Sequence, residues 1–160
     1  MTLSLYSKAP DFVLPDMEGK EIRLSTFLAQ GPVVLFFYPK AFTAGCTEEV
    51  CSFRDQYTFF QQRGIQILGV SHDTKDALKS YADKYRLPFP LLSDPTRRVC
   101  KLYKAVYPFG FLTRRVSYYI GREGLILGAY DNLLNGAGHI SQMEQRILHL
   151  ENLETPQIPG

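Results

Sequence analysis

The alternation of apolar and polar positions divides the chain into short segments with two different periods. Val33 to Tyr38 is an unbroken apolar run, bounded by Gly31 and Pro32 before it and Pro39 after it. Its length and its flanking breakers predict a buried strand. Ile65 to Ser71 predicts a second strand. Arg115 to Ile120 and Leu125 to Tyr130 predict two more, joined by Gly121, Arg122, Glu123 and Gly124 as a hairpin turn. Between these runs the period changes. From Thr47 onward Val50, Phe53, Tyr57 and Phe60 recur at spacings of three and four, the mark of a helix with one inward stripe. A second helix, from about Thr74 to Arg86, turns Leu78, Tyr81 and Tyr85 inward. Asp94 followed by Pro95 reads as an N-cap with Pro at the first helical position, and predicts a short helix to about Lys104. A last helix carries Ile140, Met143, Ile147 and Leu150 on one face. Residues 10 to 28 predict an N-terminal hairpin with Glu18 and Gly19 at its turn and Ser25 capping a short helix.

This order of strands and helices, closed by a hairpin and a final helix, predicts an α/β fold: a mixed central sheet with helices on both faces and an N-terminal hairpin extension. In open α/β sheets, sites gather at the carboxyl ends of parallel strands. The segment from Pro39 to Cys46 lies at one such end. Four residues before Val50, Cys46 falls on the inward stripe of the first long helix and near its start. There the positive end of the helix dipole and the unpaired backbone N–H groups favour a thiolate, the form of cysteine that attacks electrophiles.

Composition narrows the picture. The chain has 160 residues with 45% hydrophobic content, which fits a single domain over residues 1–154, with an unstructured tail at residues 155–160 carrying Pro156 and Pro159. Eighteen basic residues against 16 acidic ones give a formal net charge of +2 and no case for a nucleic-acid partner. No apolar stretch approaches a membrane span, and the first ten residues lack the pattern of a secretory leader, so the expectation is a soluble, cytoplasmic protein with no membrane partner. Three cysteines are too few for a disulfide framework and suit a reducing compartment with a transient, catalytic bond. His72, His139 and His149 show no ligand spacing to one another or to the cysteines, so no metal site is expected.

The string FYPKAFTAGCTEEVC, with Arg115 far downstream, resembles the peroxiredoxins, and within them the group called peroxiredoxin Q or bacterioferritin comigratory protein. That group's signature is a Pro, then Thr or Ser four residues on, then the attacking Cys three later; Pro39, Thr43 and Cys46 match it, and Cys51 matches the group's resolving Cys. Segments GIQILGVSHD, FPLLSDP and RVSYYI extend the resemblance over nearly the whole chain. Two positions depart from the pattern, Ala44 in place of the usual Pro and Gly121 where an Asp commonly follows the RVSYYI strand. Both concern backbone shape more than chemistry.

The resemblance implies a thioredoxin-like fold and a thiol peroxidase needing no cofactor. Its substrate is a hydroperoxide, its reductant thioredoxin or a similar dithiol, and its usual state a monomer. Cys46 would become a sulfenic acid. Arg115 would favour the thiolate and hold the peroxide, Thr43 would offer a hydroxyl in addition to any role as a helix cap, and Pro39 would pack, donor-free, over the thiol. Two helical positions five apart have Cα atoms roughly 8 to 9 Å from each other and point about 140° apart. A disulfide needs about 7 Å or less. If Cys46 and Cys51 bond, the first turns of their helix must therefore unwind, exposing a strained disulfide to the reductant.

Other candidates read as structure. Cys100 is core filler, Glu48 and Glu49 complement the helix dipole, and Phe42 could line an apolar mouth admitting alkyl hydroperoxides. A thioredoxin-type oxidoreductase would need two cysteines separated by two residues, a pattern the chain lacks. A non-enzymatic redox sensor or metal-binding module using the same helix is the alternative from a different class.

Overall fold

The computed structural model describes residues 2–108, 112–131 and 136–154. A five-stranded sheet is formed by β3 (Val33–Phe37), β4 (Gln66–Ser71), β5 (Leu91–Ser93), β6 (Val116–Ile120) and β7 (Ile126–Asp131) in the order β5-β4-β3-β6-β7. β3 runs parallel to β4 and antiparallel to β6, and β4 runs parallel to β5, so the sheet is mixed as expected. A two-stranded antiparallel hairpin, β1 (Val13–Pro15) and β2 (Glu21–Arg23), precedes it, with Gly19 at φ +84° in its turn.

β3 is central and has no polar residue because helices cover both of its faces. Val33, Leu35 and Phe37 point into a core completed by α1 (Leu24–Leu28), α5 (Arg98–Leu102) and the N-terminal segment. Val34, Phe36 and Tyr38 point the other way, into a core completed by α2 (Ala44–Asp55), α3 (Tyr57–Gln61), α4 (Lys75–Tyr85) and α6 (Gly136–Glu154). Burial of each large side chain is worth about 1.5–3 kcal/mol. All five β3 residues are completely buried, which makes this strand the anchor from which the following loop is hung.

Most strand bounds shift by one residue from the sequence reading, the usual ambiguity at frayed ends. Three differences have physical causes. Ser25 lies inside α1 and does not cap it; Asp11 accepts from the Ser25 backbone N–H at 2.9 Å and from its hydroxyl at 3.0 Å, so the cap comes from fourteen residues upstream. The Asp94–Pro95 signal marks a turn, and α5 starts only at Arg98, after Arg97 at φ +59°. Asp94 nevertheless caps at a distance, accepting from the Cys100 backbone N–H at 2.9 Å. The long helix predicted through Phe60 is broken at Gln56, whose φ of −99° and ψ of 10° leave α2 and α3 as separate helices. The expected tail at residues 155–160 lies outside the described residues. Among the described residues no helix is long and apolar enough to cross a membrane.

Candidate active site

Strand β3 delivers the chain to the site. After Tyr38 it enters the loop Pro39–Thr43, which Asp73 of the neighbouring β4–α4 connection holds in place, itself fixed by Ser71. Asp73 accepts the Ala41 backbone N–H at 2.8 Å, and Ser71 donates its hydroxyl to the same carboxylate oxygen at 2.7 Å. Phe42 adopts φ +65°, a region that costs a bulky residue strain. The backbone then turns into α2 through Thr43, whose extended φ and ψ are those of an N-cap and whose carbonyl accepts the first helical bond from the Thr47 N–H at 2.9 Å. Its hydroxyl does not cap. It donates to the Lys40 carbonyl at 2.8 Å, inside the loop, and the residue is exposed. Pro39 is half-buried where the strand gives way to the loop.

Cys46 is the third residue of α2 and only 1% exposed, so its sulfur faces the sheet from the first turn of the helix. The residue it meets comes from across the sheet. The antiparallel register pairs Phe37 with Val116, which sets Arg115 beside the point where β3 ends. Side chains alternate along β6, so Arg115 and Ser117 lie on the face covered by α2 and α6, while Val116 packs into the opposite core. Arg115, 4% exposed, donates from Nη2 to the Cys46 sulfur at 3.3 Å and from Nη1 to Glu49 Oε1 at 2.7 Å. Gly45 makes room for this: a β-carbon there would stand 3.1 Å from Arg115 Nη2.

Glu49 corrects the sequence reading. It does not decorate the helix surface but is 0% exposed, one turn after Cys46 and beside Val50 on the inward stripe. Burial pushes its carboxyl up to about 8, against the downward pull of the Arg115 charge and hydrogen bond. Burial also works against the Arg115 charge, but the facing Glu49 and Cys46 outweigh it and raise the guanidinium further. The site therefore holds a charged guanidinium between the Cys46 sulfur and a carboxyl whose burial favours its protonated form. Glu49 Oε2 lies 3.9 Å from His139 Nδ1 of α6, which is 2.9 Å from the Ser117 hydroxyl. Glu49, Ser117 and His139 were missed as site residues. The signal for Glu49 was present, since Cys46, Glu49, Val50 and Phe53 follow the spacing of a single buried helix face.

Cys51 is half-buried and lies on the face of Thr47 and Arg54, as its position predicts, against the apolar cluster. Burial pushes its thiol up, with Arg54 pulling it down and Asp55 adding to the rise. Two ties flank it: Tyr81 donates its hydroxyl to Thr47 Oγ1 at 3.1 Å, and Arg54 donates from Nη1 to the Tyr85 carbonyl at 2.8 Å. Phe42 is 48% exposed at the mouth of the site, its ring 4.8 Å from that of Tyr81. Cys100, on the inner face of α5, is completely buried, and burial pushes its thiol well up, which agrees with core packing. All three cysteines are free thiols.

A thioredoxin-like sheet carrying a buried thiol at a helix start, paired with a guanidinium from a distant strand, corresponds to one known class. The chain belongs to the AhpC/TSA family, whose sequence model matches residues 5–128. Among curated proteins it is 39% identical over 137 residues to the chloroplastic peroxiredoxin Q of Sedum lineare, covering 85% of this chain and 73% of that one. It is 39% identical over 145 residues to the chloroplastic peroxiredoxin Q of Triticum aestivum, covering 90% of this chain and 66% of that one. A putative peroxiredoxin bcp of Coxiella burnetii is 35% identical over 153 residues, covering 92% of this chain and 100% of that one. The chain thus spans about two thirds of the wheat relative's length and the full length of the bacterial one. In three dimensions it is similar to the peroxidoxin BcpB of Mycobacterium tuberculosis, with 31% identity, a TM-score of 0.86 and coverage of 92% of this chain and 98% of that one. It is also similar to the bacterioferritin comigratory protein of Xanthomonas campestris, with 26% identity, a TM-score of 0.78 and coverage of 86% and 91%.

Proposed function

We propose that the chain is a thiol peroxidase in which Cys46 attacks hydroperoxides and Cys51 resolves the product. The Cys46 thiolate attacks the terminal oxygen of ROOH; the S–O bond forms as the O–O bond breaks, and RO⁻ leaves and takes up a proton as ROH. Cys51 then attacks the resulting sulfenic acid, releasing water and forming an intramolecular disulfide. A dithiol such as thioredoxin reduces that bond by exchange. The observation that carries this reading is the 3.3 Å contact from Arg115 Nη2 to the Cys46 sulfur in a buried helix mouth. Stretching an O–O bond moves negative charge onto oxygen, and a fixed, desolvated guanidinium opposes that charge more effectively than water could. Thr43 and Pro39 form the rim of the same loop, the first with a hydroxyl that donates to the Lys40 carbonyl and keeps its oxygen as an acceptor, the second with a rigid, donor-free wall. The exposed ring of Phe42 suits substrates with an organic R group, and the Xanthomonas campestris relative is one with alkyl peroxide reduction activity.

Intact mass after one equivalent of peroxide tests the assignment. Wild type is expected to lose two hydrogens and Cys51→Ser to gain one oxygen. If Cys46→Ser destroys peroxide at the wild-type rate, the assignment is wrong.

A further inference from the structure

Resolution requires the chain between Cys46 and Cys51 to unwind, and its four intervening residues are held unequally. Glu49 and Val50 are completely buried on the sheet side, and Glu48 is exposed, with no side-chain hydrogen bond or ion pair among the described residues. Thr47 is half-buried, and among the described residues one side-chain bond ties it, the one it accepts from Tyr81. Tyr81 is well placed to hold it. The residue is 0% exposed in the middle of α4, and its ring is fixed against Tyr38 at 6.3 Å, Tyr85 at 5.4 Å and Phe42 at 4.8 Å.

The geometry points to Tyr81 as a latch: its hydroxyl holds the first turn of α2 closed and sets how fast oxidised Cys46 reaches Cys51. This rests on the peroxidase reading given above. Thr47, Cys51 and Arg54 share one helix face, so Cys51 sits between the Tyr81–Thr47 tie and the Arg54–Tyr85 tie. Movement of Cys46 toward Cys51 must release the first tie, because Thr47 belongs to the stretch of helix between the two cysteines that has to unwind. It can leave the second intact, because Arg54 lies beyond both. The strained backbone of Phe42 favours release, while the stacking of its ring on Tyr81 adds to the hold. Tyr81 gives its hydroxyl to Thr47, while Arg115 is the donor to the Cys46 sulfur, so loss of the latch is felt on the second step.

The test separates those steps. Wild type, Tyr81→Phe, Thr47→Val and the double variant are mixed with one equivalent of hydrogen peroxide, acid-quenched at increasing times and read by intact mass. One oxygen gained reports the sulfenic acid, and two hydrogens lost reports the disulfide. A hydroxyl–hydroxyl bond of ordinary net strength corresponds to a change of about threefold to tenfold in the opening equilibrium. Each single variant is expected to form the sulfenic acid within about twofold of the wild-type rate and to convert it to disulfide about threefold to tenfold faster. The double variant should gain no more than either single one, because both remove the same bond. At excess peroxide all three should also accumulate less of the species with two or three added oxygens, since the sulfenic acid lives for less time. Conversion at the wild-type rate in both single variants, or a multiplied effect in the double, overturns the latch. So does a changed rate of sulfenic acid formation in Tyr81→Phe. If wild type forms sulfenic acid but never the disulfide, the resolving role of Cys51 has failed, and the latch fails with it.

Discussion

Arg115 and Glu49 meet at 2.7 Å across 66 residues of sequence, both almost completely buried, and the guanidinium that makes this bond is the one that faces Cys46. The pair works as a clamp. One arm of the arginine is fixed on α2 by the carboxyl, which leaves the other arm aimed at the sulfur in the preceding turn.

Arg115→Lys should separate charge from geometry. Lysine keeps the positive charge but has no planar fork to span Glu49 and Cys46 together. Loss of a single preorganised donor typically costs about 10²–10³ in rate. Peroxide consumption by the variant, followed in single turnover, is expected to fall into that range while the far-UV circular dichroism is unchanged.

Gly45→Ala tests the close approach of Arg115 to the helix. Alanine is the better helix former by about 1 kcal/mol, yet its methyl would press on Nη2 from 3.1 Å, and Nη1 is already clamped. The expected result is a protein no less stable than wild type toward urea but slower in sulfenic acid formation. A rate equal to wild type would mean that the guanidinium can shift without consequence.

Glu49 makes stability depend on pH with a definite sign. Its carboxyl titrates from an ordinary 4.5 in the unfolded chain and from about 8 in the fold. Between those values the folded chain holds a proton that the unfolded chain has lost. The stabilisation is therefore complete below about 4.5 and disappears as pH rises through about 8. Urea unfolding of wild type and Glu49→Gln across this window should show the wild-type midpoint falling relative to the variant as pH rises.

The resolving step should carry its own pH dependence. Burial holds Cys51 as a thiol, and only the thiolate attacks sulfenic sulfur. Disulfide formation in single turnover is expected to accelerate by about tenfold per pH unit until the thiol of the opened chain ionises, near its ordinary value of about 8.5. Formation of the sulfenic acid need not follow the same profile.

The sheet can be tested at Gly69 on β4. A β-carbon there would lie 2.6 Å from the Phe36 ring and 2.8 Å from Leu91. Overpacking of this kind costs about 1–3 kcal/mol, and Gly69→Ala should lower the urea midpoint accordingly.

What could be read from sequence follows from how local each cause is. The buried strand β3 and the inward Cys46 are set by residues close together in the chain, and periodicity finds them. The cap of α1 was missed because it is supplied by Asp11, from fourteen residues before Ser25, and no local pattern marks it. The reading of Asp94 as N-cap with Pro95 as first helical residue fails because the left-handed turn at Arg97 delays the helix to Arg98, although the Asp94 carboxylate still accepts from the Cys100 N–H. Glu49 was misread because a carboxylate on a helix is usually solvated. Its place on the buried stripe should have outweighed its charge. The partnership of Ser117 with His139 depends on how β6 and α6 pack, which sequence order alone does not give.

The antiparallel docking of β6 against β3 has a consequence for a chain still being made. Cys46 leaves the ribosome 69 residues ahead of Arg115, and until the later strand zips into place no guanidinium stands over the sulfur. A nascent or truncated polypeptide therefore carries Cys46 without the guanidinium that faces it in the folded chain. On the proposed mechanism, full reactivity of Cys46 waits for β6 to dock against β3.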